Sequence, residues 1–329
     1  MSNFLTLVSI ENMKLWKRLA TKVMVFIIIA LTLVSTIGIK IYDLNKTNKK
    51  ANNSVSTTWK QDLQKEIAMS KAQIKSAKKS SLSQSVIGRL EKQIAEDEYM
   101  IKHNISPKES YSVWSKLLNV TGNVGYDSII ALMIIIACSA LIAGEFSDGT
   151  MKMMISRPFS RSQILSSKLA ATIIYGLELL AVAYVLNFVM VGILFGFGGI
   201  GSKTMLWTGY KIIYISGFLN VLILLGLNFL TTLFYTIVAF ALSALFRSRS
   251  LATGFAIFLQ LMISSIALSL AMFFSWGKYL PFAAVNFSSV ITTGIVVKGM
   301  DLSFSFLISL AYAAVFCIIG YMGFIKRDI

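Results

Sequence analysis

The side chains able to do chemistry in this sequence are few, and their placement excludes most enzymes. The single histidine, His103, has no cysteine or carboxylate nearby at metal-ligand spacing. Cys138 and Cys317 both fall inside apolar runs and read as small packing residues, with neither disulfide nor metal spacing. No Ser-His-Asp set and no carboxylate pair on one apolar helix face can be assembled, so no cofactor is expected and the chain reads as a non-enzyme. Gly196-Phe-Gly-Gly-Ile-Gly201-Ser202-Lys203-Thr204 is close to the phosphate loop G-x-x-x-x-G-K-[ST]. One extra residue precedes the lysine, however, and an apolar helix rather than a strand precedes the glycines, so the segment reads as a glycine-rich turn without ATP. One acid, Glu178, lies within an apolar run, where an ionised carboxylate costs about 2.5–3.5 kcal/mol and calls for a partner, a cavity or water. The amides Asn187, Asn220, Asn228 and Gln260 on neighbouring runs are its expected partners. Glu178 is read either as a satisfied structural group or as part of a substrate or proton pathway.

The richest segment is residues 145–168, with Glu145, Gly149, Thr150, Met151, Met154, Ile155, Arg157, Pro158, Arg161 and Lys168 as its candidate functional residues. Gly149 permits a sharp turn. Met151, Met154 and Ile155 make one apolar face of about two turns, and Pro158 ends them. Ser160 with Gln163 is a capping-box pattern for the following helix. A short helix with a methionine face and basic flanks suits docking on another protein; the alternative is a helix lying on lipid headgroups.

These residues must be positioned by membrane helices. The chain is 56% apolar and 14% charged over 329 residues, too little polar surface to cover a soluble globule. Crossing a bilayer takes about 20 mainly apolar residues, and six segments qualify: 23–41, 128–144, 169–197, 217–246, 251–274 and 304–324. The apolar stretch of the fourth begins near Ile212, which suggests an interfacial or re-entrant piece ahead of the span. The first run is too long for a signal peptide and lacks a cleavage pattern. The fold class expected is an all-α integral membrane protein with six transmembrane helices and an amphipathic N-terminal helix at the interface. That N-terminal helix, Phe4 to Leu19, is what the family resemblance described below implies; its apolar residues Phe4, Val8, Leu15 and Leu19 would suit the headgroup boundary, and Lys14, Lys17 and Arg18 would meet anionic lipid.

Between the first two spans, residues 42–127 contain Trp59, Leu63, Ile67, Ser70, Ile74 and Ala77 at spacings of three and four, then Ile87, Leu90, Ile94 and Ile101. That pattern predicts a helical hairpin with a narrow apolar seam, either a solvated spacer or a lid and docking element. The net charge of +16 would suggest nucleic acid in a soluble protein. Here the basic residues lie between apolar runs, so they set topology and no nucleic acid is expected. Lys14, Lys17, Arg18 and Lys22, then Lys152, Arg157, Arg161 and Lys168, then Arg247 and Arg249, and finally Lys326 and Arg327 all fall on one side of a six-span chain. By the positive-inside rule that side is the cytoplasm, with both ends of the chain inside and residues 42–127 outside. The lysine-rich outer segment does not oppose this, because segments longer than about 60 residues translocate largely regardless of charge. Lysine and isoleucine usage points to a bacterial plasma membrane.

The pattern Glu145, Gly149-Thr150, Pro158, Arg161, Ile164 and Lys168 resembles the loop after the second span in ABC-2-type transporter permeases. The turn from Ser243 to Arg249 (SALFRSR), the segment from Tyr279 to Phe287 (YLPFAAVNF), the closing Phe324 to Ile329 (FIKRDI) and the N-terminal segment with Trp16 extend the resemblance over most of the chain. The hairpin at 42–127 departs from it. The resemblance implies the membrane subunit of an ATP-driven transporter, an exporter by expectation, with a separate ABC ATP-binding subunit and a second permease subunit, identical or homologous, as partners. The segment from Thr150 to Ser156 would then be the coupling helix seated on the ATPase. An ion-coupled secondary transporter and a non-transporting scaffold or sensor acting through the hairpin are the rival readings. The first would show inverted repeats, which this sequence lacks.

Overall fold

The computed structural model describes residues 2–52, 59–79, 84–106, 112–150, 159–246 and 248–325. Helices account for nearly all of its regular structure, because a backbone amide in lipid has no water to bond and must find its partner within its own segment. The N-terminal helix α1 (Ser2–Lys17) is followed by α2 (Leu19–Asn52), the hairpin helices α3 (Trp59–Lys79) and α4 (Gln84–His103), and α5 (Val113–Val124). Then come α6 (Tyr126–Ser147), α7 (Arg161–Phe195) and a two-stranded antiparallel ribbon, β1 (Lys203–Trp207) with β2 (Ile212–Ser216). The last elements are α8 (Gly217–Leu245), α9 (Arg249–Phe258), α10 (Ser264–Phe273), the short α11 (Phe287–Thr292) and α12 (Leu302–Ile325). A π-helical turn at Leu259–Ile263 joins α9 to α10 into one continuous rod.

Six of these rods are long and apolar enough to cross a membrane: Leu19–Asn45, Tyr126–Ser147, Arg161–Phe195, Gly217–Leu245, Arg249–Phe273 and Leu302–Ile325. The protein is an all-α multi-pass membrane protein. Helix α6 is the buried axis, apolar on every side, with Ile130, Ile134, Cys138, Leu141 and Ile142 fully enclosed. It packs along α7 and α8, and α12 lies against α8. The outer rods keep broad apolar faces, such as Phe26 and Val34 on α2 and Leu307, Leu310 and Ile318 on α12, which suit lipid.

Three differences from the sequence reading follow from tertiary contacts that periodicity does not contain. The segment near Ile212 is a strand, not a re-entrant piece, and the glycine-rich turn leads into its partner β1, with Trp207 opposite Ile212. Residues 42–127 are more than a hairpin, since α5 packs into the bundle: Trp114 stacks on Phe188 at 5.2 Å and donates to the Ile200 carbonyl at 2.6 Å. Helix α1 buries Leu7, Val8 and Leu15 against protein rather than lipid, while Leu19 remains exposed. The helix that carries the third apolar run begins at Arg161, where the expected capping box is in place: Ser160 Oγ accepts from the Gln163 amide, and Gln163 Oε1 accepts from the Ser160 amide.

The hairpin helices pack side by side through Leu63, Ile67, Ala77, Ile87 and Ile94, and Lys71 pairs with Glu98 at 2.7 Å. It is not a free spacer. Gly88 of α4 lies so close to the chain ahead of α12 that a Cβ would sit 2.2 Å from the Ile295 carbonyl oxygen, and Lys92 donates to the Thr292 carbonyl at 2.7 Å. Helix α4 thereby covers one end of the bundle.

Candidate functional site

At the opposite end, α1 meets the end of α6 and the start of α7 in a closed ring of charge. Lys168 Nζ, with none of its side chain exposed, lies 3.0 Å from Glu11 Oε2 and 2.7 Å from Glu145 Oε2. Lys14 Nζ closes the ring at 2.7 Å from Glu11 Oε1 and 3.6 Å from Glu145 Oε1. Two carboxylates and two ammonium groups alternate, so the net charge is zero and each buried ion has an opposite neighbour on both sides. Lys168 also donates to the Leu141 carbonyl at 3.3 Å. Burial drives the Glu11 carboxyl up, but Lys168 and Lys14 together outweigh it and hold the group below the ordinary glutamate value. Arg18, just beyond, is pushed down by burial and by Arg249, with Glu145, Glu11 and Asp148 acting the other way.

A second set of bonds continues the seam along α7. Glu178 accepts from Asn12 Nδ2 at 3.0 Å and from Trp16 Nε1 at 2.5 Å, and Trp16 meets Tyr175 edge to face with centroids 5.7 Å apart. Lys168, Tyr175 and Glu178 recur every seven and three residues, so one face of α7 holds all three contacts. The expected amide partners of Glu178 are therefore displaced by Asn12. Asn187 donates instead to the Ala183 carbonyl, Asn220 to Thr204 Oγ1 and the Met205 carbonyl, Asn228 to the Tyr184 hydroxyl, and Gln260 to the Ser128 carbonyl.

Of the loop residues, Glu145 and Lys168 are joined in the ring. Gly149 turns the chain after α6 with φ +69°, Thr150 Oγ1 reaches back to the Glu145 carbonyl, and Arg161 opens α7. Met151, Met154, Ile155, Arg157 and Pro158, and with them the coupling helix, lie outside the described residues. Glu11 and Lys14 were not legible as site residues, although a signal was present: Glu11 occupies the stripe of Leu7, Val8 and Leu15, where an apolar side chain belongs. Asp127 was also missed, because it borders the second apolar run and was assigned to the preceding loop; it is 3% exposed.

At the covered end, α4, α5, β1, α8 and α11 enclose a cavity of about 560 Å³ lined by Arg89, Lys92, Glu96, Asn119, Thr204 and Asn220 among others. Burial lowers the Lys92 ammonium and raises the Glu96 carboxyl, each opposed by the other across 3.7 Å. Beside them Asp97 is pushed up to about 6 by burial and by the carboxylates of Glu66 and Glu96.

Fold and site together define a polytopic helical membrane protein whose N-terminal helix is locked by ion pairs to the helices flanking an internal loop. The chain belongs to the family described as "Protein of unknown function (DUF2705)", which matches residues 82–329. It is 31% identical over 332 residues to the uncharacterized protein YhcI of Bacillus subtilis (strain 168), covering 99% of both chains. It is 29% identical over 203 residues to the uncharacterized membrane protein YdbK of the same organism, covering 60% of this chain and 77% of that one.

Proposed function

We propose that this protein is the permease subunit of an ATP-driven, ABC-2-type exporter in a bacterial plasma membrane. A separate ATP-binding subunit docks on the loop between α6 and α7, and a second permease subunit completes the pathway. The observation that carries this reading is the charge ring. It fastens α1 to the last turn of α6 and the second turn of α7, on either side of that loop. A push delivered to the loop by a motor outside the chain then moves three helices as one body instead of bending a linker. The resemblance of the loop sequence to ABC-2 permeases supports the same assignment, and the bacterial relatives support the membrane.

The test is to purify the tagged protein from membranes of its own host in a mild detergent. The expected outcome is a co-purifying ATP-binding subunit in stoichiometric amount, with ATP hydrolysis in the preparation. Met154→Asp, which puts a charge on the methionine face of the loop, should release that subunit and leave membrane insertion intact. Recovery of the chain alone, or an ATPase retained unchanged by Met154→Asp, would overturn the reading.

A further inference from the structure

A different acid, Asp127, points to a binding site. It lies in the first turn of α6, 3% exposed. Its second oxygen, Oδ2, is buried and without a hydrogen-bond partner, and among the described residues no basic side chain pairs with it. Gln260, 4% exposed, faces the same space. Its amide nitrogen must point at the Ser128 carbonyl, 2.7 Å away, because a carbonyl only accepts. That fixes the orientation and leaves Gln260 Oε1 buried without a donor among the described residues.

The space between them measures about 150 Å³ and is bounded by Thr231, Tyr235, Ser264 and Phe282. The hydroxyl protons of Thr231 and Ser264 already go to the Val285 and Gln260 carbonyls, so both groups offer the cavity lone pairs only. The rings of Tyr235 and Phe282 lie nearly parallel, 6.3 Å apart, at its wall. A carboxylate oxygen, an amide oxygen, hydroxyl lone pairs and aromatic rings all favour positive charge, and the first two lack donors. The π-helical turn at Leu259–Ile263 carries Gln260, and a widened turn of this kind re-aims side chains at ligand sites. Leu261, Ser265 and Asn286 are exposed at the rim, so the cavity is reached from the side of the α9–α10 rod.

We propose that this cavity binds an organic ammonium group, with Asp127 as its counter-ion and Gln260 Oε1 as its second acceptor. A bare alkali ion fits less well. At roughly 10–15 Å³ for each water-sized sphere the cavity takes a molecule of several heavy atoms, and the oxygens are spread over three helical rods, α6, α8 and α9–α10, rather than gathered in a shell. The inference is independent of what drives transport, and it stands or falls apart from the ATPase assignment.

The experiment follows thermal unfolding of the purified chain in nanodiscs against n-butylammonium chloride, with sodium chloride holding ionic strength constant. The expected result is a saturable rise in Tm with n-butylammonium and none on exchanging sodium for potassium. Asp127→Asn, isosteric and uncharged, should weaken the apparent affinity about tenfold or more, the loss expected for one charge-assisted hydrogen bond. If Asp127→Asn does not fold, Ser265→Phe, at an exposed rim position, closes the mouth. It should abolish the saturable rise while keeping the wild-type Tm in sodium chloride alone. The proposal fails if n-butylammonium gives no saturable rise, if potassium gives an equal one, or if the rise persists unchanged in the substituted proteins.

Discussion

Lys168 shows how one residue decides the strength of the α1 seam. It is fully enclosed, and its two carboxylate neighbours would face each other without it. Truncating one partner of a buried ion pair leaves an uncompensated charge and costs about 3–5 kcal/mol, whereas replacing the pair together is much milder. Lys168→Met should therefore lower Tm sharply, and adding Glu11→Leu to it should recover part of the loss, read by thermal unfolding in detergent. The same ring predicts an acid limit. Glu11 titrates below its ordinary value of 4.5 in the folded chain, so its contribution is complete above that pH and is lost as pH falls through the lower folded value. Proteolysis of α1 should be independent of pH from about 8 to 5 and accelerate below about 4. Glu11→Gln should flatten that profile.

The hairpin offers the test at the scale of elements. Among the described residues Asp97 carries a buried oxygen without a partner between α3 and α4, and burial with the nearby Glu66 and Glu96 carboxylates pushes it up to about 6, so folding favours its neutral form. For a raised carboxylate the sign is opposite to that of Glu11. Stability is lost as pH rises from the unfolded value of 3.8 through about 6. Asp97→Asn should stabilise the hairpin at pH 8 by about 1–2 kcal/mol, after allowance for solvent screening, and should have little effect at pH 4. Hydrogen exchange of α3 and α4 at the two pH values measures this. The seam that Asp97 interrupts was readable from Leu63, Ile67, Ile87 and Ile94, because a period of three and four residues is a local property. Where α4 rests was not readable, since Gly88 against Ile295 joins positions about 200 residues apart. Glu178 makes the same point. Hydropathy located the charge along α7 correctly but carries no information about the helix opposite, and that helix is α1, through Asn12 and Trp16. The π-helical turn at Gln260 leaves the apolar run unbroken and has no mark in composition at all.

At the scale of the whole molecule, the charge ring and the covered cavity lie at opposite ends of one helix bundle, and orientation decides which compartment each meets. The sequence places the basic residues of the short connections, Lys14, Lys17 and Arg18 before α2, Lys22 in its first turn, Arg161 at the start of α7 and Arg249 at the start of α9, at the end that holds the ring. Short basic connections stay in the cytoplasm, so the ring should face inward and α3 with α4 outward. Cysteines at Ser76 on α3 and at Ser250 on α9, both exposed positions, would be introduced singly into a chain lacking Cys138 and Cys317. A membrane-impermeant thiol reagent on intact cells should label position 76 and spare position 250 until the membrane is permeabilised. The converse result would invert the molecule, put the loop between α6 and α7 outside and remove it from any cytoplasmic ATPase. Because Ser76 and Ser250 lie at opposite ends of the bundle, labelling of both in intact cells would mean that the chain is not uniformly inserted, and labelling of 76 alone is the outcome that the motor-driven permease requires.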